Sequence, residues 1–352
     1  MIDLEYPSKI NESNLFMKYK SSYFSSFIDL TSHIFLMSSS FYLLWYFQNS
    51  YLSIFTTPFL GLMLHRTFVV FHDCCHNSYT PNKTLNYAIS TIYGITTFTS
   101  TNWILDHHTH HLTNGNKENT YNFKFNELLY WNKKQYARFG TISRSIFKFF
   151  HTPVVFFSFF PLLYFFVIQR FIYALKKYRY KEKIQGSFQE ILGNHLINNI
   201  GSGVLCFVLY KNNLLLHYLI ATYIGFLINF LLFFNQHTYN PAYIVGNKEW
   251  SQRNSGLLGS SFIEIPKPLK YFTMGIEYHH IHHMNAKIPG YNLQKYHEEF
   301  ESVSNIFDNV VKLSMNDCYN NLWLVMYDEE NNKYITVADA DADAEITKDK
   351  KI

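Results

Sequence analysis

His107-His108-Thr109-His110-His111 and His279-His280-Ile281-His282-His283 repeat one spacing, HxxHH, in a chain of 352 residues. A third cluster, His72-Asp73-Cys74-Cys75-His76, has the related spacing HxxxH. At the histidine frequency of this chain, 17 in all, composition alone would give about 0.04 HxxHH matches. On a helix, residues three and four apart share a face. Both imidazoles of HxxxH therefore point one way, and the first histidine of HxxHH shares a face with each of the last two. Eight metal-ligand candidates result: His72, His76, His107, His110, His111, His279, His282 and His283. Eight imidazoles are too many for one ion, and two neighbouring ions would use them well. A ninth candidate is His237 in Phe234-Asn235-Gln236-His237, with Asn235 beside it as a water-holding neighbour.

These clusters lie among apolar blocks. Residues 24–47 and 51–71 are joined by Gln48-Asn49-Ser50, and residues 194–210 and 214–234 by Lys211-Asn212-Asn213. Blocks of this length suit membrane spans, which need about 20 residues. Two further blocks are ambiguous: residues 85–103, dense in Thr and Ser, and residues 154–175, interrupted by Pro161. Lys133, Lys134, Arg138, Arg144 and Lys148 precede the second of these, and Arg170, Lys176, Lys177, Arg179, Lys181 and Lys183 follow it. Lys and Arg mark the cytoplasmic side, so a block basic on both flanks does not cross. Residues 154–175 read as a re-entrant or interfacial hairpin bent at Pro161. The three boxes converge on one side only if residues 85–103 do not cross either. The expected fold is all-α: an integral membrane protein with four transmembrane helices in two hairpins and a cytosolic helical cap holding the metal site. Residues 1–336 read as one domain, and the acidic, low-complexity residues 337–352 as a disordered tail.

Composition removes other classes. Phe, Tyr and Trp number 34, 28 and 5, while charged residues are only 16% of the chain, the reverse of a disordered sequence. Four cysteines, Cys74, Cys75, Cys206 and Cys318, give no disulfide framework. The mean hydropathy of −0.11 averages apolar spans with polar ends. No H-E-x-x-H occurs, which removes the common zinc-protease reading. The one Glu-x-x-His spacing, Glu277 to His280, lies at a histidine box, which argues against a soluble di-iron bundle. A metal store or transporter would place ionisable residues along a path inside the spans, and these interiors are nearly free of charge. His33, His151, His195, His217 and His297 read as packing or surface residues, His65 as a neighbour on the face of His72, and His108 and His280 as the variable positions of their boxes. Asp73, Asp106, Glu118 and Glu277 are candidates to hold the second nitrogen of metal-bound histidines. Imidazole ligands leave Zn, Fe, Cu and Ni open. A site under apolar helices suits a long hydrocarbon substrate, and attack on an unactivated C–H bond needs a redox metal and O2, which points to iron.

Five segments carry a resemblance: Phe71 with the HDCCH box, Trp103-ILDHHTHHLTNGN, Gln236-His237-Thr238, Gly259-SSFIEIPKPLKYF and Tyr278-HHIHHMNAKIPGYNLQKYHEE. From about Arg66 to Glu299 the chain resembles the membrane fatty acid desaturases with three histidine boxes, most closely the acyl-lipid branch of omega-6 and omega-3 type. The resemblance implies a cytosolic di-iron site held by eight or nine histidines and O2-dependent insertion of a cis double bond into a fatty acyl lipid or acyl thioester. Related hydroxylases share every ligand, so hydroxylation is the alternative, with ketolase or methyl oxidase chemistry behind it. The first box departs from the family's HDCGH at Cys75, an Asp is usual near Glu118, and a small residue is usual at Glu277. Tyr93, Phe98 and Trp103 are expected in the substrate channel. Neither a haem-binding His-Pro-Gly-Gly segment nor a GxGxxG fingerprint is present, so electrons would come from a separate donor of cytochrome b5 or ferredoxin type. The basic stretches 133–148 and 170–183 could dock that donor or anionic lipid. Nothing points to nucleic acid. The expected location is an integral membrane position with the site on the cytosolic face, in the endoplasmic reticulum of a eukaryotic or virus-infected cell and otherwise in a plasma or thylakoid membrane.

Overall fold

A computed structural model describes residues 12–120, 131–172, 187–302 and 305–349. Among the described residues, four helices are long and apolar enough to cross a membrane. The first, Tyr23–Phe47, starts at Ser22, whose side chain accepts the Ser25 amide. The second is Ser53–Cys75, the third Phe188–Lys211 and the fourth Leu215–His237. The first span turns Phe24, Phe27, Phe35, Trp45 and Tyr46 outward, where an apolar solvent is required.

The second span is the central one. It crosses the fourth where two glycines meet: a Cβ on Gly61 would lie 2.8 Å from Ile224 Cγ2, and one on Gly225 would lie 3.2 Å from the Gly61 carbonyl oxygen. Small residues let two helices approach closely in a bilayer, where no hydrophobic force draws them together. Both helices then run on to histidine boxes, Gly61 to His72 and Gly225 to His237.

The third span opens with polar residues, and two of them, Asn194 and Asn198, find partners at the turn 97–102. Asn198 Nδ2 donates to the Thr99 carbonyl at 3.1 Å, Asn194 Nδ2 to Asn102 Oδ1 at 3.0 Å, and Asn102 Nδ2 to the Ile191 carbonyl at 2.7 Å. That turn joins the helix Lys83–Thr96 to the helix Trp103–Thr113, which carries the second box. At 14 residues, Lys83–Thr96 is short of a span.

An ion pair lies inside the bundle. Arg66 of the second span bonds Asp29 of the first and the Tyr271 carbonyl, with its guanidinium 4.0 Å from the Tyr271 ring centre. Tyr79 Oη donates to the other Asp29 oxygen at 2.9 Å. The pair ties the first span and the 270–273 turn to the central helix.

Two expectations need correction. The bend in the block near 154–175 is not at Pro161. Helix Thr141–Phe150 meets the helical run Pro153–Gln169 at 75° across His151 and Thr152, and Pro161 lies inside the helix Pro153–Leu163. Thr152 precedes a proline, which disfavours helical backbone there, and its ψ is 134°. After Leu163 the chain continues as a π-helix, Tyr164–Ile172.

The acidic tail is not disordered over its described part. Residues Val337–Asp349 are helical, with a reciprocal cap between Thr336 and Asp339. Ala340 is buried with Tyr136, Phe147, Met326 and Ile335. Asp341 bonds Lys148 at 2.6 Å and Tyr136 Oη at 3.0 Å, and Lys133 bridges Asp343 and Asp328. Alternating alanine supplies helix propensity, and the acids find the basic stretch 133–148. Lys133, Lys134 and Lys148 are thus paired within the chain, while most of the basic stretch 170–183 lies outside the described residues. Small sheets complete this end: strands Trp131–Asn132, Met326–Asp328 and Lys333–Ile335 form one, Phe262–Ile263 and Lys312–Leu313 another.

Arg66→Leu should strand the Asp29 carboxylate among apolar helices and lower stability by about 3–5 kcal/mol. Adding Asp29→Asn to that variant should restore much of the loss, read as the unfolding midpoint of purified protein in detergent.

Candidate metal centre

The boxes sit where helices end. His72 lies in the last turn of the second span, His76 just past it, and His237 closes the fourth span. His107, His110 and His111 lie on Trp103–Thr113, and His279, His282 and His283 on His279–Met284. All nine side chains are buried. They form two groups, His72, His76, His107, His111 and His282 in one, and His110, His237, His279 and His283 in the other. In each group the facing nitrogens lie within 4.8 Å of one another.

The division follows helix geometry. Residues four apart are about 40° apart around the axis and residues three apart about 60° the other way. Each HxxHH box therefore gives its i, i+4 pair to one group and its remaining histidine to the other. The second box sends His107 and His111 to the larger group and His110 to the smaller, and the third box sends His279 and His283 to the smaller and His282 to the larger.

Ring nitrogens face each other at hydrogen-bond distance. His107 Nε2 lies 3.0 Å from Nε2 of both His72 and His111, and His111 Nε2 lies 2.9 Å from that of His282. In the smaller group His237 Nε2 is 3.1 Å from that of His110 and 3.0 Å from that of His279. His237 Nδ1 donates to the Gly259 carbonyl at 2.9 Å, and His72 Nδ1 to Asp73 Oδ1 at 3.1 Å. A neutral imidazole that donates through Nδ1 has a lone pair at Nε2. Converging lone pairs repel unless a cation lies among them. Burial first, and neighbouring imidazoles second, hold His76, His107, His111, His279, His282 and His283 well below the usual histidine range, so the rings are neutral and free to coordinate. His76 Nε2 is buried without a protein partner. The donor set fits transition-metal ions of imidazole preference.

The other predicted residues divide. Asp73 joins the site: its second oxygen accepts the Gly290 amide at 2.6 Å, so one carboxylate holds His72 and the start of helix Gly290–Glu301. Asp106 is half-buried in the first turn of the second-box helix. Glu118 faces away, exposed, and accepts the Asn247 amide at 3.0 Å, because the chain has turned off the box helix at Asn114 and Gly115. Glu277 is buried and bonds Thr273, with Oε2 unpartnered, and burial raises its pKa. Asn235 is buried beside His237, with Nδ2 on the Leu231 carbonyl and Oδ1 unpartnered. His280 turns away from both groups to His297 at 3.1 Å, and His297 stacks on Phe307. His33 meets Thr67, and His217 meets Thr57.

A cavity of about 70 Å3 opens beside the histidines. Its wall includes His72 and His107 of the larger group and His279 of the smaller, with Phe68, Trp103, Phe165, Phe230 and Phe233. Trp103 also stacks on His107, ring centres 4.2 Å apart. Tyr93 and Phe98 do not line it. Tyr93 packs on His33, and Phe98, at a left-handed φ of 52°, turns its ring to Tyr218 and Phe166. Sequence reasoning missed the phenylalanines of the wall, yet spacing could have found them. Phe68 lies four residues before His72, and Phe233 and Phe230 lie four and seven before His237, on the same helical faces.

A family model described as fatty acid desaturase matches residues 49–305. The chain is also similar to a fatty acid desaturase of Bacillus subtilis (strain 168), 29% identical over 279 residues that span 78% of this chain and 74% of the relative.

The lowered histidine pKa values set a pH dependence. A folded chain with neutral buried rings binds fewer protons than the unfolded chain below about pH 6.5. The stability these rings contribute is present above that value and is lost as pH falls through it. Glu277, raised by burial, has the opposite sign but is a single group. Metal-free protein should melt at clearly lower temperature near pH 5.5 than near pH 7.5. Thermal scans across that window test this, and a flat melting temperature would refute it.

Proposed function

Because the chain belongs to the fatty acid desaturase family, we propose that this membrane enzyme holds two iron ions with its nine clustered histidines and inserts a cis double bond, of omega-6 or omega-3 type, into an acyl chain seated in the cavity. One observation carries the reading: a cavity with an aromatic wall includes histidines of both groups. An acyl lipid or acyl thioester would place its methylenes against Phe68, Trp103, Phe230 and Phe233. The balance is CH2–CH2 + O2 + 2e− + 2H+ → CH=CH + 2H2O, so two electrons come from outside, from a donor of cytochrome b5 or ferredoxin type. Iron supplies the O2 chemistry that no side chain can.

The chain's own part is to bind, orient and exclude water. His72, His76, His107, His111 and His282 would hold one ion and His110, His237, His279 and His283 the other. Asp73 and the Gly259 carbonyl fix the tautomers of His72 and His237. Trp103 keeps His107 in place by stacking and also lines the cavity, so the same residue sets a ligand and a wall. A rigid wall matters because effective molarity depends on placing one C–C bond beside the reacting centre. Lys and Arg near the box-bearing ends support the reading that this side faces the cytosol. We read the chain as one catalytic domain, onto which the helix Val337–Asp349 packs.

Two experiments test this. Expression in yeast with fatty-acid profiling should yield a new dienoic or trienoic acid, whereas hydroxy acids alone would reject desaturation. His110→Ala should lose metal of the smaller group and lower turnover more than about 100-fold, with membrane insertion intact. His108, exposed on the same helix, is the control: His108→Ala should keep metal and turnover.

A further inference from the structure

The cavity wall holds one polar pair that neither metal group uses. His65 lies seven residues before His72 on the second span, and Asn229 lies on the facing fourth span. His65 Nδ1 meets Asn229 Oδ1 at 2.7 Å. The His65 side chain is buried, and its Nε2 has no protein partner. Phe68, Val69, Phe165 and Phe230 make up the wall around the pair.

The chemistry of the orphan atom is specific. With Nδ1–H donating to Asn229, Nε2 carries a lone pair and can only accept. Methylenes cannot satisfy it, and bulk water does not reach the interior of a span. A buried acceptor without a donor is unfavourable, and the same atom rewards a ligand that brings an O–H group. Sites built to pair with a hydroxyl discriminate strongly against analogues that lack it, whereas apolar walls discriminate weakly.

We propose that His65 and Asn229 form a hydroxyl-reading subsite, and that the cavity selects acyl chains already carrying a hydroxyl group. This rests on the reading of the cavity as the acyl site. Along the helix, His65 is about 10 Å from His72, so the hydroxyl would sit several methylenes from the carbons beside the histidines. His65 is then a specificity-determining residue that sets the register of the chain. An ordered water could supply the same O–H, and the experiment separates the two sources.

The test is competition against a spin-labelled fatty acid for purified protein in lipid nanodiscs. The competitors are fatty acids of one chain length, saturated or carrying a single hydroxyl walked along the chain. One hydroxyl position should bind about tenfold tighter than the saturated chain. His65→Leu should bring the affinity for that hydroxylated chain down to the affinity the same variant has for the saturated chain, and Asn229→Leu should do the same. If no position surpasses the saturated chain, the wild-type scan alone overturns the proposal and leaves water as the occupant. A preference that survives His65→Leu also overturns it. Failure of every acyl chain to compete would overturn the cavity reading itself, a separate outcome.

Discussion

Nine buried imidazole rings converge in two groups, each suited to hold a cation, and the architecture serves that convergence. Burial keeps the rings neutral and so keeps the lone pairs available. It also removes the water that could otherwise separate them. Four separate parts of the chain must therefore end at one place. The crossing of the second and fourth spans at Gly61 and Gly225 sets where two of those ends arrive. The polar opening of the third span fixes the turn that launches the second box. Asp73 ties the first box to the segment following the third.

The membrane setting raises the cost of every polar group that lacks a partner, and it makes those groups informative. Arg66 and Asp29 satisfy each other and join three parts of the bundle. Asn194, Asn198 and Asn102 bond backbone or one another at a single turn. The unpartnered His65 Nε2 matters because its side chain lines the cavity. The acidic helix Val337–Asp349 shows the reverse case, where charges outside the spans pair in water-facing positions. Its salt bridges occupy lysines that would otherwise form an open basic surface.

Much of this was legible from residue order. HxxxH and HxxHH fix which rings share a helical face, and the four apolar blocks gave the spans to within a few residues except at the start of the third, whose six-residue extension is capped by Ser187 and Glu190. Other features were not legible. The bend at Thr152 rather than Pro161 depends on which proline begins a helix and which lies inside one. Glu118 is close in sequence to the second box, yet the turn after Asn114 carries it away. Tyr93 and Phe98 were plausible by composition, but a left-handed residue in a tight turn rotates the ring out of the cavity.

The sequence by itself determined the local facts: helix, span length, and the i, i+4 pairing of histidines. These follow from a 3.6-residue period that any stretch carries within itself. Helix geometry splits each HxxHH box, and only the tertiary structure decided which other histidines each part joins. His110 leaves its own box to join His237, His279 and His283, and His282 leaves its own to join His72, His76, His107 and His111. That exchange depends on the angles at which three helix ends meet, and those angles are set by contacts far apart in the chain. The same contacts shaped the cavity, since its wall is drawn from spans that approach only because Gly61 and Gly225 have no side chains.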